Sequence, residues 1–224
     1  SVAIGFAALE AQNFTTATDT FNTAVGSAAG AANTTGQYNT LIGGLAGDAI
    51  IDSDENVAVG YNSLSADTKG NRTVAIGTGA LRDQNLTTTT DSFNTAVGHA
   101  AGLSVTSGVQ NALIGGAAGD ALTDADNNVA VGFASLTTDT LGSGSTAVGY
   151  LTLSAQNFTT ATATLNTAVG SAAGANVTTG IRNTLIGAES GDAITSGNNN
   201  VGVGSGSLTT NILSNQNTAV GNGA

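Results

Sequence analysis

The chain contains no cysteine, no proline, no methionine and no tryptophan, and only 8% of its 224 residues are charged. Without cysteine it forms no disulfide and no thiolate metal site, although an extracellular protein can lack cysteine and the compartment stays open. Lys69, Arg72, Arg82 and Arg182 are the only lysines and arginines, against a formal net charge of −11. A nucleic-acid groove needs a row of cations to displace counterions, so nucleic acid is excluded as a partner. Anionic membrane surfaces are disfavoured for the same reason. No apolar run reaches the roughly 18 residues that a spanning helix requires, so no membrane insertion is expected. Three Tyr and six Phe are too few for a core of bulky side chains.

What the chain has instead is a repeat. Asn22-Thr23-Ala24-Val25-Gly26 is rewritten from end to end, and the closing glycine serves as an anchor. The anchors are Gly5, Gly26, Gly43, Gly60, Gly77, Gly98, Gly115, Gly132, Gly149, Gly170, Gly187, Gly204 and Gly221. Their spacing runs 21, 17, 17, 17, and this block of 72 is written three times, over about 5–76, 77–148 and 149–220. A fixed short period of this kind marks a solenoid. The expected fold is all-β, a parallel β-solenoid of about thirteen coils of 17 or 21 residues, one array over 1–224. Both ends of the array fall inside a repeat, which leads to the expectation of a longer fibre chain.

Before each anchor the residues alternate. Thr40 and Ile42 point one way, Asn39 and Leu41 the other, which predicts a short strand. The Val or Ile is assigned to the core, where burial contributes about 1.5–3 kcal/mol per coil. The anchor glycine is expected to take a positive φ or to lie close to another backbone. Three and four residues after it come a small residue and then Leu or Gly in a fixed order: Leu9, Gly30, Gly47, Leu64. These are expected to form a second strand facing the first. Asn precedes the strand in ten of thirteen units, among them Asn22, Asn39 and Asn56, while Ser1, Thr73 and Ser145 take its place once per super-repeat. Stacked about 4.8 Å apart, the Asn side chains form a structural ladder.

Ser1-Val2-Ala3-Ile4-Gly5 and Thr73-Val74-Ala75-Ile76-Gly77 resemble the head repeats of trimeric autotransporter adhesins. The variant with Asn-Thr-Ala-Val-Gly, Ala-Gly and Asn-Thr-Thr-Gly is similar to repeats in bacteriophage tail fibres, marine phages included. The resemblance covers essentially the whole chain through a short motif. It implies a left-handed parallel β-roll assembled as a homotrimer. It also implies a structural shaft or head of an extracellular fibre, on a virion tail or a cell surface, used for host attachment through a cell-surface glycan or protein receptor. An ice-binding solenoid and a spacer without binding activity are the alternatives.

The long first coils carry four extra residues, which should bulge to one face. Phe14, Thr15 and Thr16, Leu86, Thr87 and Thr88, and Phe158, Thr159 and Thr160 are the candidate display loops. The acidic turns containing Asp52 and Asp54, and Asp124 and Asp126, are weak candidates for Ca2+, which wants several oxygens. The third copy of that turn has no carboxylate, so the bland reading is a solvated turn and no cofactor is assigned. His99 is the only histidine, in a slot that elsewhere holds Ser27 or Ser171. No Ser-His-Asp or Cys-His set can be built, and the carboxylates recur in turns or stand alone, so no enzyme is expected. The slot three before the anchor reads Thr23, Thr40, Val57, Val74, Thr95, Ala112, Val129, Thr146. An ice-binding array would want Thr throughout.

Overall fold

The computed structural model describes all 224 residues as a stack of coils with no helix, and so with none long and apolar enough to cross a membrane. Thirteen three-residue strands, from Val2–Ile4 to Thr218–Val220, form one parallel sheet in chain order. Each residue pairs with its equivalent in the next coil: Thr23 with Thr40, Leu41 with Ala58, Ile76 with Val97. The architecture is thus a parallel β-solenoid of about thirteen turns. Two short pairings, Gly70–Asn71 with Thr90–Asp91 and Gly142–Ser143 with Thr162–Ala163, brace the long coils.

The strand alternation has the expected parity but the opposite sidedness. The middle residue faces inward: Ala24, Leu41, Ala58, Ala75 and Leu113 are completely buried. The Val or Ile before the anchor faces out, and Ile42, Ile76, Ile114, Val169 and Ile186 remain 37–41% exposed. The reason is space. The interior also holds the Asn column, and a thin coil has room there for Ala more often than for a second β-branched row.

The order of Leu and Gly after the anchors follows from the same limit. Where the strand carries Leu41, a Cβ on Gly30 or Gly47 would lie 2.6 or 2.8 Å from its methyls. Leu113 stands likewise over Gly102 and Gly119, and Leu185 over Gly174 and Gly191. Where the strand carries Ala58 or Ala75, Leu64 and Leu81 fill the interior. Volume is shared across the coil so that total filling stays level.

The segment after the anchor is not a strand. Its second and fourth residues lie in the left-handed region, as Ala28 at φ 56 and Gly30 at φ 60 do, and Leu64 and Leu81 adopt the same conformation at 52 and 47. A strand needs negative φ throughout. The alternating conformation sends hydrogen bonds both ways: Ala28 N–H donates to Phe6 O in the coil before at 2.8 Å, and Gly30 N–H to Ala46 O in the coil after at 2.9 Å. These bonds stabilise a backbone that costs about 1–2 kcal/mol at each non-glycine position. The expected two-sheet roll is therefore one sheet closed by ordered turns.

The anchors make the stacking possible. They have φ between 130 and 141. A Cβ on Gly43 would sit 2.5 Å from Gly60 O, so only glycine fits.

Candidate functional site

Two polar ladders of opposite direction hold the coils in register. In the first, the Asn Oδ1 accepts the backbone N–H of the equivalent residue in the next coil at 2.9–3.0 Å, as from Asn39 to Asn22, from Asn56 to Asn39 and from Thr73 to Asn56. The Asn Nδ2 donates to a carbonyl three residues before that residue, such as Gly36 O at 2.7 Å and Ser53 O at 2.8 Å. The bonds run mainly from side chain to backbone rather than from amide to amide. The columns are buried, so every polar atom has to be matched.

The second ladder lies in the acidic turns. Asp54 Oδ1 accepts from Gln37 N–H at 2.7 Å, and Asp126 Oδ1 from Val109 N–H at 2.8 Å. Asn198 Oδ1 does the same for Ile181 N–H in the third copy. The position requires an acceptor oxygen rather than a negative charge, which explains why the third copy does without carboxylates. Asp52 lies 3.9 Å from Lys69, and Asp124 accepts from Ser107 Oγ at 2.7 Å. No three His, Cys, Asp or Glu side chains come together in a metal-binding group.

At each step from the fourth coil to the long coil the Asn is replaced by Thr73 or Ser145, and a buried polar cluster fills the gap. Asp67 Oδ1 accepts from Gly70 and Leu86 N–H, both at 3.1 Å. Gln84 Nε2 donates to Asp67 Oδ2 at 2.6 Å, and Gln84 Oε1 accepts from Asn94 Nδ2 at 2.9 Å. Burial pushes the Asp67 carboxyl up, against the hydrogen bonds from Gln84 and the backbone, which lower it. Asp139, Gln156 and Asn166 repeat the arrangement. Neither Asp67 nor Gln84 was singled out from sequence. The usable signal was the coincidence of Asp-Thr, the long coil's Gln and the missing Asn.

This cluster roots the bulged loops. Leu86 and Phe158 are buried at the loop base, and Phe14 is half-buried. What the loops expose is threonine: Thr15, Thr16, Thr87, Thr88, Thr159 and Thr160. Leu86 and Phe158 thus pin their loops instead of being displayed.

Outside, the thirteen Val or Ile residues before the anchors form one continuous column, beside a parallel column of Thr, Val and Ala. Aromatic residues flank it. Phe21 stacks on Tyr38 with ring centres 5.5 Å apart, Phe133 on Tyr150 at 6.0 Å, and Arg72 lies 6.0 Å over the Phe93 ring. Arg72 also pairs with Glu55 and Asp91, linking three successive coils at the same edge.

The surface has one groove, of about 220 Å3, and it brings His99 together with Tyr61 and Arg82. No protein-family model, curated protein or solved structure matches the chain.

Proposed function

We propose that this chain is a rigid, repetitive segment of an extracellular fibre, a phage tail fibre or surface adhesin, which self-associates as a homotrimer and takes part in host attachment. The observation that carries the reading is the uncovered sheet face. Thirteen strands spaced about 4.8 Å apart give a surface about 60 Å long. Its Val and Ile column is continuous, and neither outward column contains a charged residue. A contiguous apolar surface of that extent marks an interaction site. A second copy of the chain offers the same uncharged rows at the same spacing, and trimeric β-rolls are what the strand motifs resemble. Attachment then works by multivalency, many weak contacts multiplied by the number of chains. The exposed threonines of the bulged loops are the candidate contacts.

Light scattering of the isolated chain tests the reading. A mass three times 21.6 kDa is expected. Ile114→Asp, which places a charge on the outward column, is expected to yield monomers with an unchanged circular dichroism spectrum. A wild-type monomer would overturn the fibre reading. It would favour the second reading that the uncovered face supports, an ice-binding surface, although Val57, Val74 and Ala112 interrupt its threonine row. Ice-recrystallisation inhibition by the same sample reads that outcome directly.

A further inference from the structure

We propose that the groove between Tyr61 and His99 binds a single neutral pyranoside ring. This rests on the attachment reading and names the receptor chemistry that one site would take.

The groove exists because the repeat is broken at one place in several positions at once. Gly79 forms its floor, in a column where the next super-repeat carries Leu151. A Cβ at Gly79 would meet only a Leu103 methyl, at 3.2 Å. Around that opening stand Tyr61, Arg82, His99 and Leu103. One super-repeat later the same places hold Phe133, Ser154, Ser171 and Ala175, and Phe133 stacks on Tyr150 beside Leu151. The one histidine and one of the three arginines thus converge on the one concavity. Coil stacking asks for neither, since the third super-repeat is built with Ser154 and Ser171 at these positions and the first with Glu10 and Ser27.

The chemistry of the lining selects the ligand. Tyr61 is 57% exposed and offers an aromatic face to the C–H face of a sugar ring. Arg82 makes a two-point pair with its neighbour Asp83, Nε to Oδ1 and one terminal nitrogen to Oδ2, both at 2.7 Å. Its plane is thereby fixed and its charge balanced, while three of its five N–H groups stay free for hydroxyl oxygens. The Asn62 amide and the His99 imidazole add polar groups that match a ring's hydroxyls. A local charge already cancelled, on a chain of net charge −11, gives an anionic sugar no advantage.

His99 is the only histidine, so its imidazole carbon-bound protons give isolated NMR signals in the intact protein. We would titrate methyl glucoside, galactoside, mannoside and N-acetylglucosaminide, with methyl glucuronide as the charged control. A saturable shift with at least one neutral pyranoside is expected, at a dissociation constant of about 1–10 mM. Gly79→Leu fills the groove and Tyr61→Ser removes the stacking face. Leu151 and Ser205 occupy the same positions elsewhere, so both variants are expected to fold. Tyr61→Ser should keep the wild-type melting temperature, and Gly79→Leu should melt somewhat lower because its backbone is left-handed, at φ 67. Each should weaken binding by about tenfold or more. No response to any neutral sugar overturns the site, and a response to the glucuronide alone overturns the assignment of a neutral ligand. An undiminished response in Gly79→Leu overturns the location. Light-scattering mass and whole-cell adhesion of the same samples report on the attachment reading separately. A silent His99 in an adhesive trimer removes the groove and leaves that reading standing.

Discussion

Gln84 donates its side-chain amide to the buried carboxylate of Asp67, and Gln156 does the same for Asp139 one super-repeat later. Each pair lies at a step where the Asn ladder is interrupted, at Thr73 and at Ser145. Gln84→Ala leaves Asp67 short of a donor inside the stack, a loss of about 1–3 kcal/mol. Repeat arrays open locally, so the effect should be read by hydrogen exchange at the Leu86 amide, which is bonded to Asp67. Exchange at Leu86 is expected to accelerate, and an unchanged rate would show the cluster to be dispensable.

Asn33 occupies the position held by Val105 and Val177 in the other two super-repeats. It is completely buried, and neither its Nδ2 nor its Oδ1 has a partner. Asn33→Val removes two unmatched polar atoms and restores a side chain the other coils accept. Stabilisation of about 1–3 kcal/mol is expected in chemical denaturation. A destabilised variant would mean that the amide has a partner after all.

Acid should strengthen the stack at two positions. Burial raises the carboxyls of Asp48 and Asp67 above the ordinary 3.8. For each, the folded chain binds the proton more tightly than the unfolded chain does. The resulting stability is full below the unfolded-state value and is lost as pH rises through the raised folded-state value. The thermal midpoint is therefore expected to climb as pH falls from 7 towards about 4. Asp48→Asn should reduce that slope, and an unaltered slope would reject the contribution from Asp48.

The anchor glycines and their neighbours should respond very differently to the same change. Gly43→Ala drives a Cβ to 2.5 Å from Gly60 O, whereas Gly44→Ala places one 3.5 Å from the Tyr61 ring in ordinary contact. The first is expected to cost more than about 3 kcal/mol and to unravel adjacent coils. The second should stay within about 1 kcal/mol of wild type. Comparable melting curves for the two would contradict the close stacking of anchors.

The period of the anchors makes the solenoid legible in the sequence, because the pairing register simply follows it. The sidedness of the strand is not legible in the same way. Asn39 and Leu41 on one side, and Thr40 and Ile42 on the other, are each part polar and part apolar. Hydrophobicity favours the wrong side, since the right one buries an asparagine. The clue was volumetric: Leu41 in a strand column mostly of Ala, matched by Gly30 and Gly47 where other coils have Leu. The left-handed turns after the anchors were hidden because Ala28 and Leu64 carry no local signal for positive φ. At the candidate sites, sequence located the bulges and the histidine, but Gln84 and the convergence of Tyr61, Arg82 and His99 appear only when coils are stacked.

Every four-coil block presents the next with the same ladder of donors and acceptors and the same vacancy at its anchors. A block of four coils can therefore be inserted or removed without inventing a new interface. Unequal recombination between the three copies would lengthen or shorten the molecule in steps of about 19 Å. Reach would evolve by gene arithmetic, separately from any point mutation that tunes what the surface touches.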